Sequence, residues 1–138
     1  MRWLILIFFM IAATADAADV QARLIRASND EKLADDRLKT LQPQLKQQFG
    51  YAYYRQLGER REALKTSKTN RLDLGEGFVV FVTPKSSDKK ARELDVEWTS
   101  GKASLVKSTI KISDGGHLFI KGPGVGNDWI VLALTVHD

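Results

Sequence analysis

Alternation of apolar and polar residues, over most of the sequence after Gly50, is the feature that most limits the fold. In "RELDVEWT", Leu94, Val96 and Trp98 alternate with acidic residues, so one face of a strand is apolar and the other polar. Glycine-containing turns such as "DLGEGF", "TSGKA" and "SDGGH" separate the segments of this kind and indicate hairpins. The pattern therefore predicts a β-rich region over 51–136 built mostly from antiparallel strands.

The last predicted strand, 129–136, differs from the others because it is apolar on both faces. Such a strand needs cover on both sides, so we expect it in the centre of a sheet, with a helix on one face and strands on the other. The glycines before it, Gly122, Gly124 and Gly126, precede a strand rather than a helix and lack the spacing of a phosphate-binding loop. They therefore predict a hairpin loop.

A helical pattern occupies residues 35–49. Its apolar residues recur at intervals of three and four: Leu38, Leu41, Leu45 and Phe49. An alternating strand at 19–28 precedes it. Together these segments predict an α+β fold in which one N-terminal helix packs on a mostly antiparallel β-meander or sandwich. Pro43 interrupts the pattern and predicts a kink, or a loose first turn before a firmer helix.

Residues 1–17 have the three parts of a secretory signal peptide. Arg2 is followed by an apolar run to Ala13, and the small residues Ala15 and Ala17 frame a cleavage site. The run is shorter than the roughly 20 apolar residues of a transmembrane helix. Unless this segment is retained as an anchor, we expect an exported protein, in the periplasm or at the cell surface. It would have one domain over 18–138 and no transmembrane segment after cleavage.

The composition excludes several chemistries. There is no cysteine, so disulfides, zinc–thiolate sites and cysteine catalysis are ruled out, and export without disulfides favours a bacterial envelope. His117 and His137 are the two histidines, and neither has a second histidine at the spacing of a metal site. We therefore expect no metal and no cofactor. Export, together with the lack of a nucleic-acid-binding motif, argues against a nucleic-acid partner.

The net charge of +4 comes largely from a basic segment over 55–71. The candidate binding surface combines its cations with one aromatic residue: Tyr53, Arg55, Arg60, Arg61, Lys65 and Arg71. Such a surface could bind an anionic envelope polymer or another envelope protein. The alternative is that these residues are the solvated faces of strands and turns.

Residues typical of catalysis are sparse. The acidic residues at 93, 95 and 97 are expected on the solvent-exposed face of a strand. No GxSxG motif occurs. His117 follows a glycine turn and lies near Asp114 and Lys121 in the sequence, so an envelope hydrolase with a site near His117 is a second hypothesis. The first hypothesis is a non-catalytic interaction module of the cell envelope.

Three segments together resemble uncharacterised families of small exported proteins from planctomycete and verrucomicrobial bacteria. They are "RAS" at 26–28, "DDRLKTLQPQLKQQFGYAYYRQLG" and "STIKISDGGHLFIKGPG". No biochemical activity accompanies this resemblance, so it implies no site residue. "STIKISDGGHLFIKGP" is also similar to a hairpin of the secretin pore domain, with Lys121-Gly122-Pro123 in place of the usual double glycine. That similarity implies a third function, an accessory module of a secretion apparatus.

Overall fold

The computed structural model describes residues 18–30, 35–65, 67–85 and 92–137. The predicted signal peptide at 1–17 lies outside the described residues. Strands account for 66% of the described part, which contains one short α-helix. The α+β prediction is therefore wrong, and the fold is mostly β. No helix in this part of the chain is long and apolar enough to cross a membrane.

Within the described residues, eight antiparallel strands form two four-stranded sheets. In chain order they are β1 (Asp19–Ser28), β2 (Tyr53–Ala63), β3 (Asn70–Gly75), β4 (Phe78–Pro84), β5 (Arg92–Ser100), β6 (Ala103–Ile112), β7 (His117–Val125) and β8 (Asp128–His137). Sheet A has the order β2-β1-β8-β7, and sheet B has the order β3-β4-β5-β6. The chain thus passes from sheet A to sheet B after β2 and returns after β6.

The helical pattern over 35–49 does not form one element, and of the two outcomes predicted at Pro43 the structure has the loose turn before a firmer helix. The chain forms a 3-10 turn at Asp36–Leu38 and then an eight-residue helix, α1, at Gln42–Phe49. Pro43 lies in the first turn of α1, where a missing amide is tolerated. The preceding residues cannot join the same helix, because the proline ring would clash with a carbonyl of the turn before it. Gly50, with φ of 79°, ends α1.

Apolar side chains of both sheets fill the space between them. On β5, Leu94, Val96 and Trp98 are at most 1% exposed, as the alternation of that strand predicts. They face Leu132 and Leu134 of β8, which are fully buried. Each such side chain stabilises the fold by about 1.5–3 kcal/mol through removal of its apolar surface from water.

A second apolar cluster lies on the opposite face of sheet A. There Leu41 and Leu45 of the helical segment pack with Ile25 of β1 and with Val131 and Ala133 of β8. The expectation for the last strand is therefore confirmed, because β8 lies between β1 and β7, with α1 on one face and sheet B on the other. No described element covers the corresponding outer face of sheet B.

The turns were predicted in part. Hairpins join β3 to β4, β5 to β6 and β7 to β8, as expected. The loop before β8 is shorter than predicted, because β7 continues to Val125 and only Gly126 and Asn127 form the turn. The hairpin expected at "SDGGH" is absent, since β6 and β7 belong to different sheets. Its Gly115 amide donates instead to the Val136 carbonyl at 2.7 Å, which fixes the turn to β8.

Candidate functional site

An open groove of about 670 Å³ lies on the outer face of sheet B. Its floor is formed by β4, β5 and β6, and its lining combines one aromatic ring with charged and hydroxyl side chains. The lining includes Phe81, Thr83, Lys85, Asp95, Glu97 and Thr109, together with Thr69 and Lys107.

Phe81 supplies the apolar centre of the groove. Val80 and Val82 are fully buried between the sheets, so the alternation of β4 directs Phe81 to the outer face, where it is half-buried. The register places Phe81 opposite Glu97 on β5, and Glu97 opposite Lys107 on β6. The aromatic ring therefore lies beside a row of charged side chains.

A second row of polar side chains runs parallel to the first. Thr83 is opposite Asp95, and Asp95 is opposite Thr109. The Thr109 hydroxyl donates to Asp95 Oδ1 at 2.6 Å, and Lys85 Nζ lies 3.5 Å from Asp95 Oδ2. The hydroxyls of Thr69 and Thr83 are 2.8 Å apart. These contacts hold the Asp95 carboxylate and the threonine hydroxyls at fixed positions beside the ring.

Opposite charges balance within the groove. Lys85 pairs with Asp95, and Lys107 Nζ lies 4.0 Å from Glu97 Oε2. Lys107 is 81% exposed and Glu97 is 35% exposed, so water screens this contact strongly. Exposed ion pairs contribute about 0–1 kcal/mol, which means that a ligand can replace them at little cost. The groove thus offers donors and acceptors without a net charge.

The six residues predicted as a basic and aromatic surface do not share one face. Arg60 and Arg61 are consecutive in β2, so their side chains point to opposite sides of sheet A, and Arg71 lies on β3 in sheet B. Each of these arginines has an acidic neighbour: the ion pairs are Arg60–Glu62 at 3.9 Å, Arg61–Asp19 at 3.2 Å and Arg71–Asp73 at 4.0 Å. The local positive charge is therefore partly neutralised.

The other three residues of that predicted surface lie along and after β2. Tyr53 is half-buried, Arg55 is exposed, and Lys65 is exposed two residues beyond the strand. β2 is the outer strand of sheet A, and its second half is exposed on both sides. Charged side chains on such an edge prevent pairing with another sheet, which gives these residues a structural role.

Asp114 and Lys121, which lie near His117 in the sequence, contact other side chains in the structure. Asp114 Oδ1 accepts a hydrogen bond from Arg92 Nε at 3.0 Å. Lys121 Nζ lies 3.9 Å from the centroid of the Trp129 ring. The three side chains of the hydrolase hypothesis therefore do not converge on one point.

His117 belongs instead to a polar part of sheet A. Its Nδ1 lies 2.7 Å from the hydroxyl of Thr135, and its ring stacks beside Phe119 with centroids 6.3 Å apart. Burial lowers the pKa of His117, and the positive charges of His137 and Arg23 lower it further. His137, near the chain end, thus lies on the face of sheet A that carries His117.

The groove on sheet B was not predicted from the sequence. The exposed face of β5 was predicted, but β4 was given no role, although "FVVFVTP" is apolar on both faces. An outward aromatic residue on a sheet without a covering helix is the signal that marks this site. Among the described residues, no three His, Asp or Glu side chains are grouped so as to hold a metal ion. Comparison with protein-family models, with curated proteins and with solved structures gives no match to this chain.

Proposed function

We propose that this protein is an exported, non-catalytic interaction module of the bacterial cell envelope, and that its ligand is a neutral polysaccharide. The groove on sheet B is the proposed binding site. One observation carries the proposal: the half-buried Phe81 ring lies on a sheet face that no described element covers, next to the hydrogen-bonded Asp95 carboxylate and threonine hydroxyls.

The chemistry of the groove matches that of a sugar chain. A sugar ring has an apolar face of C–H groups, which can pack on the Phe81 ring, and a rim of hydroxyls. Asp95 and Glu97 can accept hydrogen bonds from those hydroxyls, and the lysines can donate to the sugar oxygens. Apolar contact with a few placed polar groups is the usual composition of a small-molecule site.

The charge and shape of the groove favour a neutral polymer over a polyanion. The ion pairs Lys85–Asp95 and Lys107–Glu97 leave it without the excess of cations that attracts a polyanion. It is an open groove and not an enclosed cavity, which suits a polymer better than a small enclosed ligand. An anionic envelope polymer and another envelope protein, the partners indicated by the basic residues at 55–71, remain alternative predictions.

Retention of the protein on insoluble polysaccharides tests the proposal. The panel consists of a glucan, chitin and cell-wall sacculi, with Phe81→Ala as the site variant and Val125→Ala as the control. Val125 is a large apolar residue, 42% exposed, at the β7–β8 turn, far along the chain from the groove. Loss of one stacking contact should weaken binding about tenfold or more in Phe81→Ala only.

Salt distinguishes this ligand from the alternative partners. Binding of a neutral polysaccharide should change little between low and high ionic strength, because no charge pairs form across the contact. Retention that is unchanged in Phe81→Ala contradicts the proposal. Retention that falls steeply with salt, and that responds to neutralisation of Arg55 or Lys65, would favour a polyanion instead.

A further inference from the structure

The two long sides of the sandwich are closed to different degrees. β2 lies next to β3 on one side, and β6 lies next to β7 on the other, but β6 and β7 approach each other less closely. On the first side the backbones touch, because a Cβ atom built at Gly58 of β2 would overlap the Leu74 carbonyl oxygen of β3. The second side is lined by half-buried apolar side chains, namely Leu105, Val106, Ile110, Leu118 and Ile120. The core is therefore partly exposed on the β6–β7 side.

β6 has fewer features that prevent pairing with a further strand than the other edge strands have. β2 carries charges of both signs on its exposed half, β3 is only six residues long, and β7 contains Pro123 and a bulge. β6 has ten residues, contains neither proline nor glycine, and is irregular only near its start. No described strand pairs with its second side, so a row of its backbone N–H and C=O groups faces outward there.

The side chains of β6 that face the core carry no charge. Val106, Ser108 and Ile110 lie opposite the three inward residues of β5, so they face inward as well. Val106 and Ile110 are nevertheless only half-buried, and Ser108 is exposed. Inward-pointing charges are one means by which natural edge strands prevent pairing. The inward side of β6 offers instead an apolar surface that a further strand could cover.

The outward side of β6 is basic. Lys107 and Lys111 lie on it, Lys102 lies in the turn before it, and residues 98–113 include no acidic residue. Lys107 is largely exposed, with its Nζ 4.0 Å from Glu97 Oε2, and Lys111 forms no ion pair with a described residue. Because like charges on neighbouring strands repel, these lysines disfavour a basic strand and favour an acidic one.

β5 shows which kind of strand pairs with this surface. Glu93 lies opposite Lys111 and Glu97 lies opposite Lys107, whereas the inward residues of β5 are apolar. A strand with the same alternation on the second side of β6 would place its acidic residues beside the same lysines. Its apolar residues would cover the half-buried side chains at the rim of the core.

We propose that β6 is a docking edge for an extended segment of a partner protein, in which apolar and acidic residues alternate. The segment adds to sheet B as a fifth strand. Backbone hydrogen bonds to β6 supply the affinity, and the alternating side chains supply the specificity. This docking does not rest on polysaccharide binding, because the segment pairs with the free edge of β6 and does not use the Phe81 ring.

A second copy of this chain fits the edge less well. Pairing of β6 with itself would bring Lys107 and Lys111 of both copies onto one face, where like charges are destabilising. β5, which has the acidic and apolar alternation, is already paired on both sides. The occupant is therefore a segment of another protein.

A labelled peptide with the sequence of residues 93–99, ELDVEWT, is the probe, and fluorescence anisotropy measures its binding. The control peptide has the same composition, but its three acidic residues are grouped at one end, so that the alternation is lost. We expect the alternating peptide to bind at least about tenfold more tightly, because it alone can cover the apolar residues and pair with the lysines at the same time. Equal affinities of the two peptides overturn the proposal.

Amide hydrogen exchange locates the bound peptide. Addition of a strand should slow the exchange of amides on β6 and leave the protection of β5 unchanged. Slowed exchange at another edge, or a loss of protection in β5 because the peptide displaces that strand, contradicts docking at β6.

Ser108→Lys separates strand addition from simple attraction between charges. The substitution adds a positive charge, so attraction alone would strengthen binding of the acidic peptide. Strand addition predicts a loss of about tenfold, because an inward charge on an edge strand opposes pairing. Ala63→Lys places the same charge on the exposed end of β2 and should cause no loss. Peptide binding that Ser108→Lys strengthens or leaves unchanged overturns the proposal.

Lys111→Gln is a second variant, at an exposed position where the fold should not be affected. It should weaken binding of the alternating peptide about two- to fivefold, and Lys65→Gln, an exposed lysine beyond the end of β2, should not. Equal losses in the two variants contradict a specific role of Lys111.

Sedimentation velocity of the protein without peptide tests for a second copy at the edge. A monomer is expected. A dimer that Ser108→Lys dissociates would mean that a second copy occupies β6, and would overturn the assignment of the edge to an acidic partner segment.

Discussion

Gly122 on β7 packs directly against the indole ring of Trp98 on β5. A Cβ atom built at position 122 would lie 2.2 Å from Trp98 Cη2 and 2.5 Å from Cζ3. Trp98 is fully buried between the sheets, so its ring cannot move aside into solvent. The absence of a side chain at position 122 therefore lets β7 of sheet A lie close to the largest side chain of sheet B.

Gly122→Ala should destabilise the protein by about 1–3 kcal/mol, because an added methyl group in a packed core forces neighbouring atoms to shift. Urea denaturation measures this free energy of unfolding. Gly124→Ala is the matched control, since its Cβ would lie 3.5 Å from the Trp129 ring, an ordinary contact distance. A change below about 0.5 kcal/mol is expected there. Equal effects of the two substitutions would mean that the Trp98 contact is not the constraint.

Tyr54→Phe should destabilise the junction between α1 and β2. The fully buried Tyr54 hydroxyl donates to the Leu45 carbonyl at 2.9 Å and accepts from the Tyr51 amide at 3.2 Å. Removal of the hydroxyl leaves both backbone groups without that partner, at a cost of about 1–2 kcal/mol in the free energy of unfolding. Tyr53→Phe is the control, because its hydroxyl has no hydrogen-bond partner among the described residues. A loss in Tyr53→Phe as large as in Tyr54→Phe would contradict this account.

Asp35 should make stability depend on pH. Hydrogen bonds from the Arg37 side chain, more than any other contact, lower the pKa of Asp35 to about 2, and the backbone amides of Arg37 and Gln56 add to this. A lowered pKa in the folded state stabilises the fold above the carboxyl's ordinary pKa of 3.8. That contribution should be lost as the pH falls from about 4 to about 2.

Asp35→Asn should therefore reduce the free energy of unfolding by about 1–2 kcal/mol at neutral pH, after allowance for the exposure of Arg37 to water. The difference from the unsubstituted protein should shrink towards about pH 2. Asp36→Asn, an exposed neighbour in the 3-10 turn, serves as the control. A difference in stability between Asp35→Asn and the unsubstituted protein that stays constant with pH would exclude a titrating contribution from Asp35.

The strands could be predicted from the sequence because burial on one face leaves a period of two. β5 is the clearest case, with Leu94, Val96 and Trp98 inside and the acidic residues outside. The helix was overestimated because the apolar spacing of Leu38 and Leu41 continues into α1, although Pro43 prevents one continuous helix. The apolar spacing alone does not show this break; only Pro43 indicates it, and it left a kink and a loose first turn as alternatives.

The assignment of strands to sheets could not be predicted, since it depends on contacts between distant residues. The turn at Gly115 was expected to close a hairpin between β6 and β7, yet these strands belong to different sheets, and the Gly115 amide donates to the Val136 carbonyl of β8. The candidate site was missed for the same reason. An outward Phe81 has a clear meaning only once it is known that α1 covers sheet A and that no described element covers this face of sheet B.

The most direct test of the proposed ligand site is a map of backbone amide chemical shifts on addition of soluble oligosaccharides from the neutral panel. The account predicts changes concentrated on β4, β5 and β6 around Phe81 and Asp95, saturable with ligand and absent in Phe81→Ala. Changes confined to sheet A, or no change with any neutral oligosaccharide, would contradict it.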